Sequence, residues 1–482
     1  MDYQEWEFFE TGIDSRFYTV TDHGPLLGPV TSFVVRRNRR LDLVLETISA
    51  ADGGAIRSES VANRVWTADG AVHWQGMHGG ATVTAHGVIP LEYRTTTSAE
   101  ERKVVQTSTI QSLHWTHSYA GEALYVMDWI GNLSGSFIWP DSDDVEQTEQ
   151  KSRTLQSARG EIVIPLTSTS EKHSRSCARL SVGGWDVVIG QSRAKPEHVQ
   201  DPGFILYLGL PDEETRSRIR QCLSFCLGDY FIHLGSTTFD AEWKPSSFLG
   251  RAGHALVEDA ADISGRPPAP LGTRYEGEVD AALLGRLASG LFEAYDIYNL
   301  RNAFWNYWHA IAAPIHMAAA HFGAAIEALQ RTYFGETGTA IHSRIVADDA
   351  AWQNLYTQIN RCIQDSALSP DEKRMLGNKA QHLNSAPQGL LADRFFAAIG
   401  LDVSALERDV WLNRNRAAHG GGIAEDRAIQ AIRENKVLRT LTNRILLSIS
   451  RSSDHYYDYY TLNRPIRQLS EPVPDDRPPR TR

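Results

Sequence analysis

Cysteine is scarce: four residues in 482, Cys177, Cys222, Cys226 and Cys362, with no CxxC pair. A disulfide framework and the usual zinc-finger spacings are thereby excluded. Cys222 and Cys226 stand four apart in a segment that reads as helix, a spacing suited to two small apolar residues on one face. Long apolar runs are missing too, so no bilayer-spanning helix is expected. The opening stretch MDYQEWEFFETGIDSRF is acidic and lacks the apolar core of a secretory signal. These absences predict a cytoplasmic protein with no membrane partner. Positive charge is not in excess: 48 Lys+Arg against 59 Asp+Glu leave a net charge of -11. A general nucleic-acid coat protein would be basic, so any contact with nucleic acid must run through a local patch. GxxxxGK[ST], GxSxG and HExxH are all absent, which removes the sequence basis for a P-loop NTPase, an α/β hydrolase or a zincin. His73, His78, His114 and His117 have no carboxylate or cysteine to complete a ligand set, so neither metal nor cofactor is expected.

What is present divides in two. The first half carries short runs rich in β-branched and aromatic residues, among them TSFVVRR, RLDLVLETI, GATVTAHGVIPL, EALYVMDWI, EIVIPL, WDVVIGQS and FILYLGL. One helix interrupts them, starting after Pro211 with acids in its first turn and ending at Gly228; the strand-like YFIHLGSTTF follows. GRPPAPLG then reads as an extended connector. Beyond it, apolar residues recur at helical spacing over 278–312, 315–334, 341–365, 370–383, 388–399, 404–419 and 425–452. Ser369-Pro370-Asp371-Glu372 and Ser404-Ala405-Leu406-Glu407 have capping-box form. The fold class is therefore α+β multidomain: a β-rich N-terminal domain over 1–264, a linker at 265–275, an all-α bundle over 276–465, and a disordered Pro- and charge-rich tail at 466–482.

One segment combines the residue types of metal-free RNA cleavage: Trp411-Leu412-Asn413-Arg414-Asn415-Arg416-Ala417-Ala418-His419, followed by three glycines. Such cleavage needs a base for the ribose 2′-hydroxyl, an acid for the leaving 5′-oxygen, and a cation for the phosphate. Histidine can take either proton role near neutrality, since its unperturbed pKa is about 6.5. Arginine offers phosphate a planar, permanently charged fork. Asparagine can orient the imidazole or donate to the phosphate. On an ideal helix, Asn415, His419 and Trp411 share a face, whereas Arg414 and His419 lie roughly 140° apart. Arg414 instead borders the apolar stripe of Val403, Leu406, Val410 and Ala417. Two copies of the chain could pool Arg414 and His419 in one cleft. The spacing alone is unspecific, because Arg193 and His198 repeat it around a proline in β-like surroundings. A helix C-terminus with His419 against the dipole fits the same residues.

With its helical context and polar second residue, this segment resembles the signature of the HEPN superfamily. The resemblance covers 275–465 and is strongest to the ApeA-like anti-phage branch. Ala325-Ile326-Glu327-Ala328-Leu329 in an early helix and LSFCLGDYF at the exit of the β-rich half point the same way. The resemblance implies a metal-independent endoribonuclease that leaves 2′,3′-cyclic phosphate ends. It implies a homodimer or higher homo-oligomer with a composite active site, acting on cellular RNA such as tRNA in abortive anti-phage defence, under a phage-derived activator. Arg414 would then bind phosphate, Asn415 would support it, and His419 would transfer protons. Glu327 and Trp411 would support the site. Arg416, Tyr456 and Tyr457 are the candidate RNA contacts, tyrosine being able to stack on unpaired bases. The alternative is a non-catalytic HEPN-like dimerisation or RNA-binding module with a partner-binding β domain. Trp305 and Trp308, at helical spacing in a stretched version of the motif, are expected to be core residues.

Overall fold

A computed structural model describes residues 13–26, 29–50, 71–77, 80–97, 102–118, 121–133, 144–157, 160–174, 177–192, 199, 201–253, 266–272, 278–335, 343–414 and 427–477. The chain forms two compact units. One comprises Met1–Pro267 with Leu271–Ser289, the other Pro268–Pro270 with Gly290–Arg482. A β-rich half followed by a helical half is the expected order.

The first unit is built from antiparallel ladders. Its strands are β1 (Tyr18–Asp22), β2 (Val30–Arg37), β3 (Leu43–Ala50), β4 (Ala71–Gly76), β5 (Ala81–His86), β6 (Ile89–Thr97), β7 (Arg102–Ile110), β8 (Ser112–His117), β9 (Tyr125–Ile130), β10 (Asp144–Ser157), β11 (Gly160–Ser174), β12 (Cys177–Val182), β13 (Trp185–Gln191), β14 (Gly203–Tyr207), β15 (His233–Phe239) and β16 (Pro245–Arg251). Ten of them form one sheet in the order β1-β4-β5-β8-β16-β15-β9-β14-β13-β12; β2-β3-β7-β6 form a second, and β10-β11 a hairpin. The two larger sheets meet where Phe33 lies 5.4 Å from Trp74 between ring centres, and where Arg37 donates to the carbonyls of Leu234 and Arg251. The central strands β9 and β14 are buried almost throughout. This explains why their sequences read as near-continuous apolar runs rather than as an alternation.

Helix α1 (Glu213–Leu227) has the ends its sequence announces. Asp212 accepts from the Thr215 N–H at 2.7 Å, and Gly228 closes the helix at φ 79°. A Cβ at Gly228 would also lie 2.2 Å from the Arg266 carbonyl carbon, so glycine is required twice over. Cys222 and Cys226 are buried on this helix as free thiols, and burial pushes both thiols up. Arg216 and Arg220 reach down from α1 to the fully buried carboxylate of Asp128 on β9, which also accepts from the Tyr207 hydroxyl at 3.1 Å. Glu213 closes the cluster against both arginines. Burial alone would raise the Asp128 pKa, but Arg220 and Arg216 outweigh it and hold the carboxyl far below the usual range.

Buried His233 lies 3.5 Å from Asp128, and burial followed by the Arg220 charge pushes its pKa below the usual 6.5. An unfolded chain binds a proton at this histidine below about pH 6.5 that the folded chain refuses, so stability is lost as pH falls through that point. The melting temperature is expected to fall between about pH 6.5 and 5, with a smaller fall in His233→Gln. Equal slopes for the two proteins would remove His233 from the account.

The second unit is helical. It follows α2 (Ala281–Ala294), whose first part belongs to the β-rich unit: Ser289 Oγ donates to the Ser181 carbonyl at 3.0 Å. The division between units therefore falls inside α2, not wholly within 265–275, because the start of this helix finds its packing partner on β12. Next come α3 (Leu300–Ala312), α4 (Ile315–Gly335), α5 (Asp349–Asp365), α6 (Pro370–Gln381), α7 (Gln388–Ala398), α8 (Ala405–Asn413) and α9 (Ala428–Ser450). Both expected capping boxes form: Ser369 with Glu372, and Ser404 with Glu407. The core gathers Phe304, Tyr307 and Trp308 of α3, Phe322, Ile326 and Leu329 of α4, and Leu438, Leu441 and Ile445 of α9.

The disorder expected for 466–482 does not hold up to Arg477. Strands β17 (His455–Tyr457) and β18 (Ile466–Gln468) pair, Val473 is fully buried, and the Arg477 guanidinium donates to Asp409 at 2.7 Å. The composition is that of an unstructured tail, but specific partners on α8 and α9 hold it.

Candidate functional site

Helix α8 carries the start of the motif. It has only nine residues, too few to be stable alone. Charge pairs to four separate elements fix it. At its start, Glu407 accepts from Arg444 of α9 at 2.5 Å while its other oxygen accepts from the Ser404 N–H at 2.8 Å. Both Glu407 and Arg444 are fully buried. Burial raises the Glu407 pKa, with Arg444 opposing it. Arg444 also donates to the carbonyls of Asp402 and Leu469, at 2.8 and 3.0 Å. Arg408 pairs with Asp393 of α7, and Asp409 with Arg477.

Arg414 caps the C-terminal end of α8. Its guanidinium lies 3.4 Å above the Trp411 ring, donates to the Trp411 carbonyl at 2.8 Å, and pairs with Glu327 of α4. The Arg414 side chain is only 2% exposed. Glu327 is one helical turn beyond Gly323, and Gly323 makes room for the arginine. A Cβ there would lie 2.7 Å from Arg414 Cδ and 3.0 Å from Nε. Glycine inside a helix costs about 1 kcal/mol relative to alanine, a cost offset here by the ion pair that its missing side chain permits. The sequence points to Arg414, Glu327 and Trp411, and the structure brings the three together. Gly323 has no place in the motif, although a glycine in the alanine-rich run HFGAAIEAL is itself a sign of close approach.

Two expected roles change. Arg414 does not present a free fork to solvent: two of its nitrogens already have acceptors within the fold and its face is covered by indole. In this conformation its polar contacts are with the fold itself. Tyr456 cannot stack on a base, because it is fully buried, its hydroxyl donates to the Glu471 carbonyl at 3.0 Å, and Arg444 lies over its ring. Tyr457 is half-buried beside Tyr459, and its N–H donates to the Pro268 carbonyl. Asn415, Arg416 and His419 lie outside the described residues, as do His78, Arg193 and His198. His73 faces Thr84 at 3.1 Å, while His114 lies against His86 and His117 against Trp115. Among the described residues, no three His, Cys, Asp or Glu side chains converge as metal ligands. No described helix is long and apolar enough to cross a membrane.

Comparison with family models, curated proteins and solved structures finds no match to this chain in any of the three.

Proposed function

We propose that this protein is a HEPN-type endoribonuclease that cleaves RNA without a metal. His419 serves as the proton-transfer group and Asn415 as its support. The observation that carries the reading is the lock on Arg414, the residue that immediately precedes Asn415 in the chain. A proton-transfer group must be held to fractions of an ångström to be effective, and a buried, doubly bonded arginine is a rigid starting point. The ribose 2′-oxygen attacks phosphorus as a base takes its proton. The 5′-oxygen leaves as an acid protonates it, and a 2′,3′-cyclic phosphate results. One imidazole cannot do both at once, so a second copy of the chain supplies the complementary group. Self-association is supported by α5, an amphipathic helix that buries none of its residues within one chain, and by Met375 of α6, 58% exposed. In this reading the protein cuts at a basal rate on its own, the β-rich unit tunes that rate, a phage-derived activator raises it, and cellular RNA such as tRNA is the substrate.

The test is the chemistry of the product ends. Purified protein incubated with total RNA in EDTA is expected to release fragments ending in 2′,3′-cyclic phosphate, and His419→Ala is expected to release none. Equal cleavage by both proteins, or none by either, would remove the ribonuclease assignment.

The internal neutralisation of Arg414 favours one second reading, in which the helical unit binds RNA or a partner without cutting. It predicts binding that survives His419→Ala and leaves the RNA intact.

A further inference from the structure

Trp305 and Trp308 part company in the fold. Trp308 is buried as expected, but Trp305 is 57% exposed on α3. Its ring lies 4.2 Å from that of His309, and His309 lies 5.6 Å from His321 of α4. A link of two residues, Ala313 and Pro314, joins these helices, so the two histidines face each other across a tight helical hairpin.

The tautomer of His309 is fixed by its partner. Its Nδ1 is 2.8 Å from the Trp305 carbonyl oxygen, which can only accept, so Nδ1 carries the hydrogen. In the neutral ring the lone pair is therefore on Nε2. A backbone carbonyl behind the other ring nitrogen is the usual second contact of a metal-binding imidazole. The separation also fits. With metal–nitrogen bonds of about 2.0–2.1 Å, two imidazoles on one tetrahedral ion have ring centres roughly 5–5.5 Å apart. Among the described residues neither histidine is paired with a carboxylate.

We propose that His309 and His321 form a two-histidine site for a divalent transition metal ion, which cross-links α3 to α4. No third His, Cys, Asp or Glu completes the set among the described residues, so water fills the remaining positions and the ion exchanges readily. Affinity follows the usual order for imidazole sites, with Cu2+ above Ni2+ and Zn2+. The site is distinct from the motif. His321 lies roughly 120° around α4 from Glu327 on an ideal helix, so chelation strips the cross-link without touching Arg414.

Chelator-treated full-length protein is titrated with Cu2+ and Zn2+, following indole fluorescence and heat of binding, beside His309→Gln, His321→Gln and Trp305→Phe. Wild type is expected to bind one ion per chain more tightly than its remaining histidines do, with quenching of Trp305. Either glutamine variant is expected to weaken that ion at least tenfold and to lose the Zn2+-induced rise in melting temperature. Trp305→Phe should lose the quenching but keep the heat. A glutamine variant with wild-type affinity and the same Zn2+-induced rise would overturn the site, whatever its circular dichroism.

Discussion

Replacing Gly323 with valine is expected to stop the proposed RNA cleavage as completely as His419→Ala, a fall of about two orders of magnitude or more. The two changes act differently. In the proposed reaction His419→Ala removes the proton-transfer group. Gly323→Val leaves every motif residue in place but puts a branched side chain where Arg414 Cδ, Nε and Cγ already lie within 2.7–3.3 Å of a Cβ. The arginine must leave the Trp411 face and the Glu327 carboxylate, and the start of the motif goes with it. Overpacking should cost about 1–3 kcal/mol in stability, so rates are compared at a temperature where both proteins remain folded. Arg414→Lys should fail nearly as badly, because an ammonium cannot reach the Trp411 carbonyl, the ring face and Glu327 together. Glu327→Gln keeps the shape and should lose less. Wild-type rates in folded Gly323→Val would show that the berth of Arg414 has nothing to do with cleavage.

Glu407→Ala is expected to destabilise the helical unit by about 3–5 kcal/mol, because it strands the fully buried guanidinium of Arg444. The substitution also removes the reciprocal bond of the capping box on Ser404, worth about 1 kcal/mol. Two variants separate the contributions. Glu407→Gln retains the shape and an acceptor for the cap, so it should be intermediate. Glu407→Ala combined with Arg444→Met removes both charges, and recovers stability if the stranded charge is the main cost. Urea denaturation measures all three. A double variant no more stable than Glu407→Ala would shift the cause to lost packing.

Features written in four or five consecutive residues are legible in the sequence. The caps at Ser369 and Ser404 and the Asp212–Gly228 ends of α1 involve only neighbours along the chain, and each forms where its residues place it. The break between α2 and α3 is not legible, since 278–312 reads as a single helical stretch. There the chain turns through Asn299 at φ 50°, with the Leu300 N–H on the Tyr295 carbonyl, and neither glycine nor proline marks the place. Strands β1, β4 and β16 stay hidden because their apolar content is modest, even though β4 and β16 pair with their chain neighbours β5 and β15. Of the candidate site, the bordering of Arg414 on an apolar stripe foretells its burial. Its pairing with Glu327 across 87 residues, and the need for Gly323 beneath it, are properties of helix packing that no local window contains. Tyr456 is misleading for the same reason: exposed or buried, a tyrosine looks alike in sequence, and Arg444 and Glu471 decide which.

Residues 469–477 close contacts on helices made well before them. Leu469 supplies a carbonyl to Arg444, Glu471 receives the Tyr456 hydroxyl, and Arg477 reaches Asp409. During synthesis, at about 5–20 residues per second, α8 and α9 emerge while these acceptors and donors are still inside the ribosome. A nascent chain thus carries its motif helix for seconds without the last anchors that hold it. Should the motif cut RNA, the machine that makes the protein is spared until the strap is delivered.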